Sequence, residues 1–458
     1  MLNKQGLHAL LNLELKSDNA FVLIYATELS PRLDYVCGFI FNTVLKLNYR
    51  ITNQLNDFKA SHELKINYSA ELIPNVFSIH PHGLLSEKGI QENKPEAFFK
   101  NDHLYFYPNQ NTNETTSLHF DIFSAVFYFI SRYEEWQRYS KDKHQRFEAA
   151  ESILFKHKLL QVPVVDRWIL EFKLRLLAQH PTVNFPPKQF KLISTIDVDN
   201  LYAYQSKGAL RTVGAVAKDI IKFDFVNLKE RLLVLRGKKA DPFNIYEEIS
   251  DFCFELKIPL IYFFLFKSGT KFDRTVKPNS GAFEKVFKLI KQNWALFGIH
   301  PSYNSSQNKE LLKNEIQLFS KVSACKTILS RQHFLRFDIR STPNLLIQNG
   351  IIADFSMGFA SMPGFRAGTS HPFYYYDLSE EKVKDLLFVP FCAMDGAYTV
   401  YEKIDPQTAF HSMFELAKEI KKTEGYFISV YHERSFSNHL YPGFGTLYKN
   451  LHQKLKEL

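Results

Sequence analysis

Two carboxylates stand two residues apart in Ser194-Thr-Ile-Asp197-Val-Asp199-Asn200. On an extended strand such a pair points to one side, where one can bind a metal while the other works as a base. An Asp or Asn at a strand-to-helix turn also caps the next helix, so the motif alone leaves both readings open. Gly298-Ile-His300-Pro-Ser-Tyr-Asn304 places an imidazole at a strand end, with a side-chain amide four residues later. A lone histidine is more often structural. Together, however, Asp199 and His300 make a mixed carboxylate and imidazole set suited to zinc or a related divalent ion, with Asn304 or His333 to complete the shell. Ser330-Arg331-Gln-His333-Phe-Leu-Arg336 offers either a third ligand with arginines guarding an anion or a strand with solvated arginines. In Gly364-Phe-Arg366-Ala-Gly368-Thr-Ser370-His-Pro372, glycines and a proline shape a loop around one arginine. Its fixed fork suits a carboxylate such as Asp197, although a tight surface turn reads the same way. His432, in Ser-Val-Tyr-His432-Glu-Arg, titrates near neutrality and suits protonation of a leaving amine or alkoxide; alone it also reads as a satisfied core histidine.

The elements that must position these residues are strand-length apolar runs alternating with helical patterns. The runs are FKLISTID, IPLIYFFLF, WALFGIH, TILSRQHF, GIIADFSM, LLFVPFCAMD and YFISVYHE. Between them lie helical stretches such as NIYEEISDFCFELK and PQTAFHSMFELAKEIKKTEG. Alternation of this kind predicts parallel strands with crossover helices. Asp197 and Asp199 end the first run, His300 the third, Arg331 and His333 sit late in the fourth, Asp354 ends the fifth, Asp395 the sixth and His432 the seventh. In a β/α barrel those ends open onto one face, whereas an open sheet would spread them along an edge, so the distribution favours a barrel. The proline-rich segment 179–190 reads as a linker, dividing an N-terminal α/β domain over 1–180 from the barrel over 190–458. The N-terminal part mixes strand-like runs with the long helical pattern HFDIFSAVFYFISRYEEWQRY, in which Arg132, Glu134 and Glu135 read as helix ion pairs.

Length and composition agree with two globular domains: the chain has 458 residues, 45% hydrophobic and 23% charged. The 43 Phe and 23 Tyr suit cores and sugar-binding clefts alike. The net charge of +9 comes from scattered basic residues, a pattern that disfavours nucleic acid. Four widely separated cysteines with no CxxC pair argue against a disulfide framework or a structural zinc site. The N-terminal stretch MLNKQGLHALLNLELKSDNA lacks the uninterrupted apolar core of a signal peptide, and no run approaches a membrane span, so a cytoplasmic protein is expected.

Taken together the motifs resemble the NodB-type polysaccharide deacetylases, the carbohydrate esterase 4 family, whose pattern runs TFDD, HSxxH, RxPY, an aspartate motif and LxH. Thr-Ile-Asp197-Val-Asp199 is similar to the first, His300-Pro-Ser-Tyr-Asn304 to the second, Arg366 with Pro372 to a stretched third, and Asp395 and His432 to the last two. The resemblance spans about residues 190–440 and implies a distorted (β/α)7 barrel preceded by a smaller α/β domain. It implies a zinc or similar ion held by Asp199 and His300, Asp197 as base, His432 as acid, Arg366 orienting Asp197 and Asp395 tuning His432. The substrate implied is an N- or O-acetylated glycan. The family's second ligating histidine falls at Asn304, a weaker ligand, and His333 is the expected replacement. An inactive carbohydrate-binding or scaffold barrel, or an amidohydrolase acting on a small non-sugar amide, are the competing expectations.

Overall fold

The computed structural model describes residues 2–13, 21–92, 94–109, 117–267 and 269–458. Residues 14–20, the polar end of the N-terminal stretch read for a signal peptide, lie outside them. In the first part of the chain β1 (Phe21–Ala26), β2 (Asn48–Thr52), β3 (Leu64–Tyr68) and β4 (Phe77–Ser78) form a parallel sheet in the order β2-β1-β3-β4. A hairpin of β5 (Ala97–Lys100) and β6 (His103–Phe106) follows. The long helical pattern divides. Helix Ile122–Ile130 is buried along its whole length and capped by Asp121, which accepts from the Ser124 amide at 3.0 Å. At Arg132 the backbone turns left-handed, with φ 55° and ψ 40°, and a short helix, Tyr133–Trp136, restarts. That break turns Arg132, Glu134 and Glu135 inward together.

The remaining strands are β7 (Lys191–Val198), β8 (Leu260–Leu265), β9 (Leu296–His300), β10 (Leu329–Ser330), β11 (Ala353–Asp354), β12 (Phe373–Asp377), β13 (Lys382–Phe388), β14 (Ala393–Met394) and β15 (Tyr426–His432). They form one nine-stranded sheet in the order β12-β13-β11-β10-β9-β8-β7-β15-β14. Every pairing is parallel except β12 with β13. The seven expected runs are all present as strands, but the sixth supplies two. Val389 donates to the Asp354 carbonyl at 2.9 Å and Phe391 to that of Met357 at 3.1 Å, while Pro390 between them has no amide to offer a ladder. The run LLFVPFCAMD therefore leaves β13, next to one edge of the sheet, and reaches the opposite edge as β14. The hairpin strand β12 was not among the runs expected from sequence.

The sheet is curled. The Arg331 guanidinium, at the end of β10, lies 2.6 Å from Asp197 on β7, although three strand spacings in a flat sheet span about 14 Å. Alternation then separates two cores. Ile193, Ile261, Phe263, Leu329, Ala353, Leu387, Ile428 and Val430 fill the interior, while Ile196, Val198, Tyr262 and Phe264 meet the surrounding helices. Gly298 lies on the interior side of β9, where a β-carbon would stand 2.6 Å from the Leu329 carbonyl oxygen and 2.9 Å from the Phe263 ring. Only hydrogen fits there. The opposite end of the curl is closed by the first helix, Lys4–Leu10: Leu7 and Leu11 join the interior cluster and Tyr426 donates to the Leu11 carbonyl. All four cysteines are free thiols. Among the described residues no helix is long and apolar enough to cross a membrane.

Candidate functional site

The interior positions of the strands become polar at their carboxyl ends. On β7 the series Ile193, Thr195, Asp197 continues to Asp199, and on β15 the series Ile428, Val430 ends in His432, which stands in register opposite Asp197. On β9 it ends in His300. A cavity of about 370 Å³ opens over them, lined also by His333, Gln332, Arg434 and the aromatic rings of Phe272, Phe334, Tyr401 and Tyr441.

Asp199, His300 and His333 form a compact donor set, with one ligand atom from each within 4.8 Å of the others. His300 Nε2 lies 3.6 Å and His333 Nε2 3.4 Å from Asp199 Oδ1. That oxygen is buried and has no hydrogen-bond partner. Both rings are tied back through their other nitrogen. His300 Nδ1 donates to the Arg331 carbonyl at 2.5 Å, and His333 Nδ1 donates to Asp273 at 2.9 Å. Once each ring is neutral, these outward bonds select the tautomer with its Nε2 lone pair aimed at Asp199, as in metal-ligating histidines. A carboxylate and two imidazoles suit zinc or a similar divalent ion, so the residues fit the metal that the family resemblance implies.

The electrostatics separate the two histidines. Burial pushes His300 down to about 4 in spite of the nearby Asp197 and Asp199. Burial works in the same direction on His333, but Asp199 and Asp273 on either side override it and lift the ring to about 9. Against its own desolvation, Asp199 is held well below the usual carboxylate range by Arg434 and His333. Arg434 bonds the second oxygen of Asp199, and Glu433 accepts from the backbone amides of Asp199 at 2.9 Å and Asn200 at 3.1 Å. The turn after β7 is thereby clamped. Burial and the Asp199 charge raise Glu433 to about 7.

Asp197 presents Oδ2 3.9 Å from His300 Nε2 while Oδ1 accepts from Arg331. The arginine expected to orient it, Arg366, is elsewhere. Its guanidinium grips Glu135 at 2.6 and 2.8 Å, deep in the contact between the N-terminal helices and the loop after β11. Arg331 occupies the position beside Asp197, and it is neither solvated nor an anion guard. It is fully buried, bonds Thr195 at 2.9 Å and the Phe355 carbonyl at 2.9 Å, and lies 4.5 Å from the Phe263 ring centroid. The interior thus holds its cation by aromatic faces and fixed acceptors.

His432 Nδ1 donates to Asp395 at 2.6 Å, and the His432 amide meets the other Asp395 oxygen at 2.7 Å. Burial and Arg434 oppose its protonation, yet the Asp395 carboxylate prevails and its pKa is raised. The sequence expectations for the remaining residues divide. Asn304 is exposed and turned toward Arg336 at 3.5 Å, so it does not face the donor set. Asp354 lies on the outer side of β11, accepting from Ser330 at 2.6 Å and the Ser356 amide at 2.9 Å, and is likewise remote from the cavity. Burial raises it to about 6. His333 enters the site because the chain leaves β10 at once and turns left-handed at Phe334 and Leu335, with φ 59° and 52°. Such a conformation in bulky residues stores strain, which is a feature of sites held in place by their surroundings. Asp273 and Glu433 were missed. Asp273 sits in a loop with no strand-end pattern, and Glu433 lies one residue beyond the strand-end His432, off the period of two.

A family of unknown function (DUF7033) matches residues 22–181. No curated protein matches the chain. Among solved structures the chain is similar to a protein assigned as a polysaccharide deacetylase from Mycobacterium smegmatis, at 13% identity over 60% of this chain and 87% of that one, with a TM-score of 0.39. It is similar to another so assigned from Pseudomonas aeruginosa PAO1, at 11% identity over 60% and 90%, with a TM-score of 0.38. A CE4 family pseudoenzyme from Bacillus anthracis matches at 9% identity over 59% and 62%, with a TM-score of 0.28.

Proposed function

We propose that this chain is a metal-dependent hydrolase that removes acyl groups, acetyl above all, from a glycan or amino sugar. One observation carries the reading: the buried Asp199 Oδ1, which has no hydrogen-bond partner, stands 3.6 and 3.4 Å from the Nε2 atoms of two imidazoles that are each tied back through Nδ1. When bound there, a divalent ion supplies Lewis-acid polarisation of an acyl carbonyl. Asp197, held by Arg331 and open on its second oxygen, takes a proton from the attacking water. His432, whose protonated form the Asp395 carboxylate favours, presents its Nε2 proton to the departing amine or alkoxide. The aromatic walls suit a sugar face, and the order of the sequence motifs supports the same assignment.

The purified chain is expected to hold one zinc or related ion per molecule and to release acetate from N-acetylated oligosaccharides, with loss of activity on chelation. Asp197→Asn should lower turnover by about a hundredfold or more while leaving the metal in place. Unchanged turnover in that variant defeats the assignment of the base. A second reading, glycan binding without turnover, draws on Arg434, which already neutralises Asp199. Sugar binding by a metal-free, inactive protein would decide for it.

A further inference from the structure

Between β7 and β8 the chain makes a helical hairpin, Ala209–Ile221 and Phe225–Leu235, whose first helix is turned inside out. Leu210, Val213, Ile220 and Ile221 recur at helical spacing on the first helix, yet Leu210 is 92% and Ile221 75% exposed. Phe223 in the turn is 79% exposed, and Phe225 and Val226 beyond it are exposed as well. On the first helix the buried residue is Asp219, and on the second Arg231 is buried with Val234. Arg231 bonds Asp219 at 2.7 Å, Asn227 donates to Asp219 at 2.8 Å, and Tyr204 donates to Asn227 at 2.7 Å. A surface helix ordinarily directs its apolar stripe to the core. A contiguous apolar patch facing water marks an interaction surface.

Charge selects the partner. Residues 207–240 hold nine Lys and Arg against three Asp and Glu, a net +6 of the chain's +9, so the positive charge is concentrated here and not scattered as expected. Two of the three acids are already paired, Asp219 with Arg231 and Glu230 with Lys239. An apolar stripe bordered by unopposed bases such as Lys218, Lys222 and Lys229 is the pattern of a helix lying in the interface of an anionic bilayer. An apolar protein partner or a second copy of this chain, carrying the same positive charge, would gain nothing from those bases.

We infer that this hairpin docks the protein peripherally on anionic lipid surfaces. The geometry also says what docking would position. Lys207 donates to Asn200, which lines the cavity, at 2.9 Å, and Arg211 donates to the Thr275 carbonyl, next to the cavity residue Arg274, at 3.1 Å. The site mouth is thereby held beside the headgroups. The inference stands whatever chemistry the cavity performs.

The test is sedimentation of the full chain with vesicles of phosphatidylcholine alone or in equal mixture with phosphatidylglycerol. Binding to the mixed vesicles and little to the neutral ones is expected. Leu210→Glu with Phe223→Glu should cut partitioning about tenfold or more, and Lys218→Gln or Lys222→Gln about fivefold each. All four of these side chains face water, so the thermal midpoint and the metal content of each variant should match the parent's. Absence of binding to mixed vesicles, equal binding to both kinds, or full retention by the Leu210 and Phe223 variant overturns the proposal. So does a dimer in analytical ultracentrifugation that those substitutions dissolve without any change in vesicle binding.

Discussion

Two clusters of buried charge lie in this molecule, and they are built to opposite ends. Where the N-terminal helices meet the loop after β11, Arg132, Glu134, Glu135 and Arg366 close on themselves. Arg132 bonds both glutamates, Arg366 grips Glu135 with two nitrogens, and Glu134 also accepts from the Ile153 amide. At the open end of the curled sheet, Asp197, Asp199, His300, His333 and Arg331 are equally buried, but they do not close. Asp199 Oδ1 has no partner, and both polar atoms of the Gln332 side chain beside it are unpaired. An unpaired buried polar group costs stability. A structural ion network removes that cost, whereas a site for a ligand retains it until the ligand arrives.

Variants sharpen this contrast. The largest effect should come from Glu135→Ala, which strands two buried guanidinium groups and should lower folding stability by about 3–5 kcal/mol in urea titrations. The metal content of the folded fraction should stay at the parent level, and a parallel loss of metal would dissolve the distinction between the two clusters. Next, Asp199→Asn should weaken metal affinity by more than about a hundredfold, measured by competition with a chelating dye, since the lost ligand is charged and central. Asp273→Asn leaves His333 without its carboxylate and should weaken metal binding by about ten- to a hundredfold.

The smallest effect is in pH. Metal binding needs a neutral imidazole, and His333 keeps its proton up to about pH 9. Apparent affinity should therefore rise about tenfold for each pH unit between about 6 and 9 and level off above. His300, already neutral above about pH 4, adds nothing across that range. Asp273→Asn should flatten the slope, because it removes one of the two charges that hold the proton. A slope unaffected by that change would assign the proton to another group.

Much of the candidate site's placement was legible because strand alternation is local. A period of two puts Asp197 and Asp199 on one side of β7, and the same reading brings His300 and His432 to the same end of their own strands. The order of these motifs along the chain, and the alternation of strand and helix, needed no coordinates. Choosing among arginines did. Arg331 ends a strand run and Arg366 sits in a glycine-flanked loop, yet either fork suits a carboxylate, and only the curl of the sheet puts Arg331 within 2.6 Å of Asp197 and leaves Arg366 to Glu135. The helix pattern around Arg132 likewise conceals a left-handed break that only its buried partners explain.

By itself, then, the sequence determined which residues share a strand face and which strand ends carry carboxylate or imidazole, since both follow from covalent spacing. The tertiary structure alone decided which partners those groups meet: Asp273 behind His333, Glu433 beneath Asp199, and the outward turn of the apolar stripe on helix Ala209–Ile221. The physical reason is that a side chain's neighbours across space are set by sheet curvature and loop path, and an amphipathic period reads the same whether its apolar side meets a core or water.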